Sequence, residues 1–294
     1  MQSRKESEPK RQEIAQPGGA APAPVAEMNR SFSGSMPELY DRFLVPLQFE
    51  PFAQDLAARL GKLTSGHLLE VAAGTGVVTR ALARSLPRAV HITATDLNPA
   101  MLDQAKKHVG VQRVVWREAD AMALPFPDEA FDHIVSQFGV MFFPDKGKAF
   151  AEARRVLRPT GVLLFNVWDR IEENEFADTV TTALESLFPK DPPRFLARTP
   201  HGYHDVLVVR RDLQDGGFVA RPQVDTVAAR SKAASPRIPA LAYCQGTPLR
   251  SEIEARDRTR LAEATEFAAA AVARRFGSGA VDSKIQAHIV AIER

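Results

Sequence analysis

One cysteine, Cys244, stands in a chain of 294 residues. A disulfide framework within the chain is thereby excluded, and a reducing, cytoplasmic setting is the expectation. No apolar run approaches the roughly 20 residues that a membrane-spanning helix needs, so no membrane span is expected. Charge of either sign is not in excess: 38 Lys and Arg face 36 Asp and Glu, a formal balance of +2. A nucleic-acid partner would call for a basic stripe with interleaved aromatics, and none is present. Cys and His clusters with metal-ligand spacing are also missing, so no metal is expected. Large apolar side chains are scarce in residues 1–27, which hold four prolines, an adjacent pair of glycines and eight charged residues. Such a stretch buries too little to offset its ordering entropy, so a disordered extension is expected there. It has neither the apolar region of a signal peptide nor the acid-poor composition of a transit peptide.

What is present is a nucleotide-site pattern. Residues 67–73 are apolar enough for a strand buried on both faces. Gly74 and Gly76 then allow a tight turn and a close approach of ligand to backbone. Residues 77–86 have helical spacing and stop at Pro87, so the first N–H groups of that helix face the turn. A second strand, 91–96, ends in Asp96, twenty positions beyond Gly76, where a carboxylate accepts both hydroxyls of a ribose. A dinucleotide fingerprint would place a third glycine where Thr79 stands. Glu70, inside the first strand, favours a ligand with an ammonium or sulfonium group and repels a pyrophosphate. Both features count against a nicotinamide-dependent oxidoreductase, which is carried as the alternative.

Further motifs follow in order: Asp96 to Leu102, Asp120 to Met122 with Leu-Pro-Phe-Pro-Asp128, Phe131 to Gln137, and Glu152 to Gly161. This set, from Leu68 to Asp169, resembles the class I S-adenosylmethionine-dependent methyltransferases. Within them it is similar to the type 11 domain branch that includes the ubiquinone and menaquinone biosynthesis enzymes. The resemblance implies that Glu70, Ala72, Gly74 and Gly76 cradle the methionine part. It puts Asp96 on the ribose, Leu97 against the adenine, Asp120 and the Ala121 N–H on the adenine edge, and Gln137 near the methionine end. It also implies a seven-stranded, mostly parallel, doubly wound Rossmann-like α/β sheet with its last strand antiparallel, plus a helical cap. A catalytically silent S-adenosylmethionine-binding protein has the same signature.

Strands are read at 113–119, 131–137 and 161–168 as well, with helices at 99–108 and 146–158. Asn98-Pro99 starts the first of these helices, Asn at the N-cap and Pro where no N–H is missed. Beyond Asp169, helices are expected at 176–188 and 205–214, and an antiparallel strand pair at 218–229 and 287–293. An Ala-rich helix over 253–276 is supported by the i,i+4 pairs Glu252–Arg256 and Glu254–Arg258. Together with 36–60 it is expected to roof the site. The organisation is thus 1–27 extension, 28–66 N-terminal helical cap, 67–169 cofactor core, and 170–294 substrate-side helices with the closing strands.

In-line methyl transfer asks the protein mainly for positioning. Where a proton must also leave, Thr199–Asp205 supplies His201 and His204 as candidate bases. Tyr40 is a candidate to close over the methionine end. The stretch 137–144, Gln-Phe-Gly-Val-Met-Phe-Phe-Pro, suits a small apolar or aromatic acceptor. The chain is expected to act as a monomer or homodimer.

Overall fold

The computed structural model describes residues 36–108 and 113–294. The extension expected over residues 1–27 lies outside the described residues. Seven strands form one sheet: β1 Gly66–Val71, β2 Val90–Asp96, β3 Val114–Glu118, β4 Phe131–Gln137, β5 Leu157–Trp168, β6 Gln223–Ala233 and β7 Val281–Glu293. Their spatial order is β3-β2-β1-β4-β5-β7-β6. β1 to β5 pair in parallel, and β7 runs antiparallel to both β5 and β6. This is the expected Rossmann-like sheet. Chain order reverses between β1 and β4, so connections leave on opposite faces there and open a crevice at the strand carboxyl ends.

Before β1 come the short helix α1 (Met36–Leu39), a π-helix (Tyr40–Phe49) and α2 (Glu50–Arg59). Pro46, inside the π-helix, has no N–H to give to a helical ladder. Side chains from the sheet take up two nearby carbonyls: Ser231 Oγ donates to the Leu47 oxygen at 2.7 Å and Gln137 Nε2 to that of Phe49 at 3.3 Å. The irregular helix is thereby fixed over the sheet end. α3 (Val77–Ser85) and α4 (Pro99–Lys106) cross between the first strands. α4 starts as expected, with Asn98 Oδ1 accepting from the Ala100 N–H at 2.9 Å.

α5 (Lys146–Val156) stops two residues earlier than read, because Leu157 already pairs with Phe131 and opens β5. α6 (Glu175–Leu187), α7 (Phe195–Arg198) and α8 (Val206–Asp215) then lead to β6. β6 starts after Pro222, not at Phe218, and β7 starts at Val281, six residues before the expected Ala287. Proline cannot donate to a ladder, while Phe218 is buried in the core, 1 % exposed.

Between β6 and β7 the structure differs more from the sequence reading. α9 (Arg237–Gly246) was not anticipated; Pro236 and Pro239 look like breakers but sit at its N-terminal end, where little is lost. The single helix expected over 253–276 is two, α10 (Leu249–Arg256) and α11 (Leu261–Phe276). Asp257 divides them by capping the next turn, its Oδ1 accepting from the Thr259 N–H and hydroxyl. The i,i+4 pairs used to support one helix do not form. Glu252 accepts from the Arg194 and Phe195 N–H groups and pairs with Arg198, while Arg256 reaches Asp191. No helix among the described residues is long and apolar enough to cross a membrane.

Candidate active site

After Val71 the chain turns through Ala72 (φ 58°), Gly74 (φ 56°) and Gly76 (φ 79°). Left-handed backbone is cheap at glycine and strained at alanine, and such strain concentrates at functional turns. The partner loop after β4 is equally constrained, with Phe138 at φ 51°. The two loops approach so closely that a Cβ on Gly139 would lie 2.6 Å from that of Ala72. Asn166 on β5 steadies the second loop, its Oδ1 accepting from the Phe138 N–H at 2.9 Å.

These loops floor a cavity of about 180 Å³ at the carboxyl ends of the strands. Asp96 forms one wall. Its Oδ2 accepts from the Gly74 N–H and its Oδ1 from the Asn98 N–H, both at 2.8 Å. A carboxylate offers about four lone-pair positions, so capacity remains for hydroxyls. Burial raises the Asp96 pKa, and the N–H groups of Asn98, Gly74 and Leu97 counter it. Beyond β3, Asp120 Oδ1 accepts from the Met122 N–H at 2.8 Å and shapes a short loop at the cavity edge. Gln137 also lines the cavity; its Oε1 is buried and has no hydrogen-bond partner.

The far end is aromatic. Trp168, the last residue of β5, stacks on Phe138 with centroids 3.7 Å apart and planes at 5°. Phe49 tilts against both at 5.7 and 6.0 Å, while Phe142 and Phe195 face each other at 6.4 Å. His201 adjoins Trp168 at 5.8 Å and lines the cavity. Its Nδ1 donates to the Asp169 carbonyl at 2.8 Å, which fixes the tautomer and leaves a lone pair on Nε2. Burial pushes the His201 pKa down to about 4, so the ring is neutral near pH 7.

Eight of the ten residues expected at the cofactor line this cavity: Tyr40, Ala72, Gly74, Asp96, Leu97, Asp120, Ala121 and Gln137. Glu70 and Gly76 do not. Gly76 faces the core instead, where a Cβ would meet Ala105 at 3.0 Å and Trp116 at 3.3 Å. Glu70 lies under the turn and accepts from Thr79 Oγ1 at 2.5 Å. Thr79, the residue in the third-glycine position, is therefore the partner of the strand carboxylate. His204 is outside the cavity, its Nδ1 donating to the His201 carbonyl. The roof also departs from expectation. The π-helix covers the site together with Tyr243, Thr247 and Pro248, and no residue of 253–276 reaches it. Sequence reasoning missed Gln48, Phe49, Trp168 and Tyr243 as cavity residues. Among the described residues no cluster of His, Cys, Asp or Glu could hold a metal ion.

Burial raises the Glu70 pKa to about 8, against the lowering hydrogen bond from Thr79. The unfolded chain ionises this carboxyl near 4.5, so its folded form is the better proton binder between those values. Stability from this group is complete below about pH 4.5 and declines as pH rises to about 8. Glu70→Gln keeps an oxygen for Thr79 and does not titrate. Its melting temperature should gain on the wild type from pH 5 to pH 8 and hold that lead above. Parallel melting curves across this range would show that Glu70 is not buried as a neutral acid.

Residues 69–165 match the family described as a methyltransferase domain. That stretch is similar to the domain of S-adenosylmethionine-dependent methyltransferases. The ubiquinone/menaquinone biosynthesis C-methyltransferase of Rickettsia massiliae is 36% identical over 121 residues, covering 39% of this chain and 49% of that protein. Its counterpart in Desulfotalea psychrophila is 32% identical over 124 residues, 42% of this chain and 50% of the relative. The chain thus spans about half the length of the curated relatives it matches. Among solved structures, phosphoethanolamine N-methyltransferase 2 of Haemonchus contortus with S-adenosyl-L-methionine is similar at a TM-score of 0.56 and 18% identity. That likeness covers 91% of this chain and 59% of the other. The YcgJ protein of Bacillus subtilis gives 0.54 at 16% identity, over 83% and 98%. At these identities the structural likeness is one of fold. The methyltransferase domain sets aside the nicotinamide-dependent alternative.

Proposed function

We propose that the protein transfers a methyl group from S-adenosylmethionine to a small, uncharged, aromatic or otherwise apolar acceptor. The observation that carries this is the single cavity joining two unlike ends. One end holds the Gly74 turn, Asp96 and Asp120–Ala121; the other is walled by Phe49, Phe142, Trp168 and Phe195. The residues fit the cofactor: Asp96 keeps lone pairs for ribose hydroxyls, and Gln137 Oε1 is a buried acceptor without a donor.

S-adenosylmethionine supplies, when bound, a methyl group already activated on a sulfonium. Asp96 holds the ribose, Asp120 and the Ala121 N–H read the adenine edge, and Leu97 lies against the base. Ala72, Gly74, Gln137 and Tyr40 enclose the methionine end. The aromatic wall excludes water and fixes the acceptor in line with the methyl carbon; such positioning is worth up to ~7–11 kcal/mol. His201 Nε2, whose lone pair is free because Nδ1 is bonded to the Asp169 carbonyl, would take the proton that the acceptor sheds on methylation. Among the described residues no Lys or Arg lines the cavity, which disfavours a phosphate- or carboxylate-bearing acceptor.

S-adenosylmethionine at 100 times its dissociation constant should stabilise the fold by ~2.7 kcal/mol, while NAD should not. An equal response to both in a thermal-shift measurement would reject the cofactor assignment. Formation of S-adenosylhomocysteine with a panel of phenolic and amine acceptors tests turnover. Cofactor binding with no turnover across such a panel would favour a silent binding protein.

A further inference from the structure

Gln48 hangs from the π-helix into the cavity roof and is 8 % exposed. Its Oε1 accepts from the Tyr243 hydroxyl at 2.8 Å, and Tyr243 is itself buried on α9. This bond sets the orientation of the amide. The Tyr243 hydroxyl has no other partner among the described residues, so turning the amide over would leave its proton without an acceptor. With Oε1 so engaged, Nε2 has no hydrogen-bond partner among the described residues. The pair is braced: Thr247 Oγ1 donates to the Tyr243 carbonyl at 2.7 Å, and Ser231 Oγ to the neighbouring Leu47 carbonyl.

The surrounding wall offers little other polarity. Phe49, Phe142, Phe143, Trp168, Phe195 and Leu196 are apolar or nearly so, and the lining acids are Asp96 and Asp120 at the nucleotide end. Against this background stand a donor, Gln48 Nε2, and an acceptor, His201 Nε2; Gln137 Oε1 is a further acceptor, assigned above to the methionine end of the cofactor. A donor that a ligand covers without pairing is costly, so a site built around one rejects molecules that bring no acceptor to it.

We propose that Gln48, oriented by Tyr243, is the specificity-determining residue for the methyl acceptor. Its Nε2 donates to a carbonyl or ether oxygen on an uncharged aromatic ring whose proton-bearing group faces His201. This rests on the methyl-transfer reading above and narrows it. The acceptor must carry two oxygens or nitrogens of opposite hydrogen-bonding sense, and a plain phenol fills only half of the site.

The test uses two probes of equal shape, 6-acetyl-2-naphthol and 6-ethyl-2-naphthol, and the full chain saturated with S-adenosylhomocysteine. Ligand-observed NMR competition gives the two affinities. The wild type should prefer the acetyl compound by about threefold to tenfold, the range of one neutral hydrogen bond. Gln48→Leu should abolish the preference while binding the ethyl compound at least as well. Tyr243→Phe, which frees the amide to turn, should reduce the preference in part; it also serves should the leucine variant fail to fold. An unchanged preference in a folded Gln48→Leu or Tyr243→Phe protein overturns the inference and leaves methyl transfer standing. Binding of S-adenosylhomocysteine with no binding of either naphthol overturns it too. Failure to bind S-adenosylhomocysteine strikes the methyl-transfer reading itself.

Discussion

Asp96→Ala should weaken S-adenosylmethionine binding by about 10²-fold or more. A hydrogen bond to a charged acceptor contributes about 1.5–3 kcal/mol, and every 1.4 kcal/mol is tenfold in affinity. Both Asp96 oxygens already accept one N–H each and keep lone-pair capacity for hydroxyls. The same carboxylate has a second duty that makes a simple reading unsafe: it accepts from Gly74 and Asn98, the N–H groups that shape both sides of the cavity floor. Removing it orphans both, at about 1–3 kcal/mol for each buried group. A lower melting temperature is therefore expected alongside the lost affinity. Calorimetry on protein that is demonstrably folded at the assay temperature separates the two. Unchanged affinity would remove Asp96 from the ribose site, and a full loss of folding would confine it to a structural part.

The contrast between what the sequence discloses and what it hides follows the chemistry of each end of the cavity. The nucleotide end is built from consecutive residues under local constraints. A positive φ favours glycine at 74 and 76, and a carboxylate at a strand end is itself a recognisable pattern. The role of Thr79 was half legible: it marked the missing glycine, while its bond to Glu70 needed the helix in place. The acceptor end has no comparable signature. Its lining comes from 44–49, 138–144, 168, 195–201 and 243–248, brought together only by the sheet. Tyr243 sits on a helix whose opening prolines look like breakers. Charge pairing misled for a related reason. Glu252 has the right spacing for Arg256, yet its carboxylate is taken by the N–H groups at 194 and 195 and by Arg198. Surface i,i+4 pairs contribute only about 0.2–0.5 kcal/mol, and tertiary contacts override them.

His201→Ala should lower turnover by about 10²-fold if His201 Nε2 receives the acceptor's proton, with little change in S-adenosylmethionine affinity. His204→Ala should be close to neutral, because that ring lies outside the cavity and only props the 201–203 turn. The pH profile separates a base from a packing residue. An ordinary imidazole would lose its lone pair as pH fell through 6.5; here burial has moved that point to about 4. Activity should therefore stay level from pH 8 down to about 5 and fall only below that. Stability moves with the same shift. The folded pKa lies below the unfolded one, so the contribution of His201 is whole above about pH 6.5 and drains away as pH drops towards 4. Glu70 drains in the opposite direction, so melting temperatures must be measured at each pH before any rate is read as catalysis. A limb centred near 6.5 would place another group in the proton path. Full activity in His201→Ala, with an unchanged profile, would leave positioning by the aromatic wall as the whole catalytic contribution of the chain.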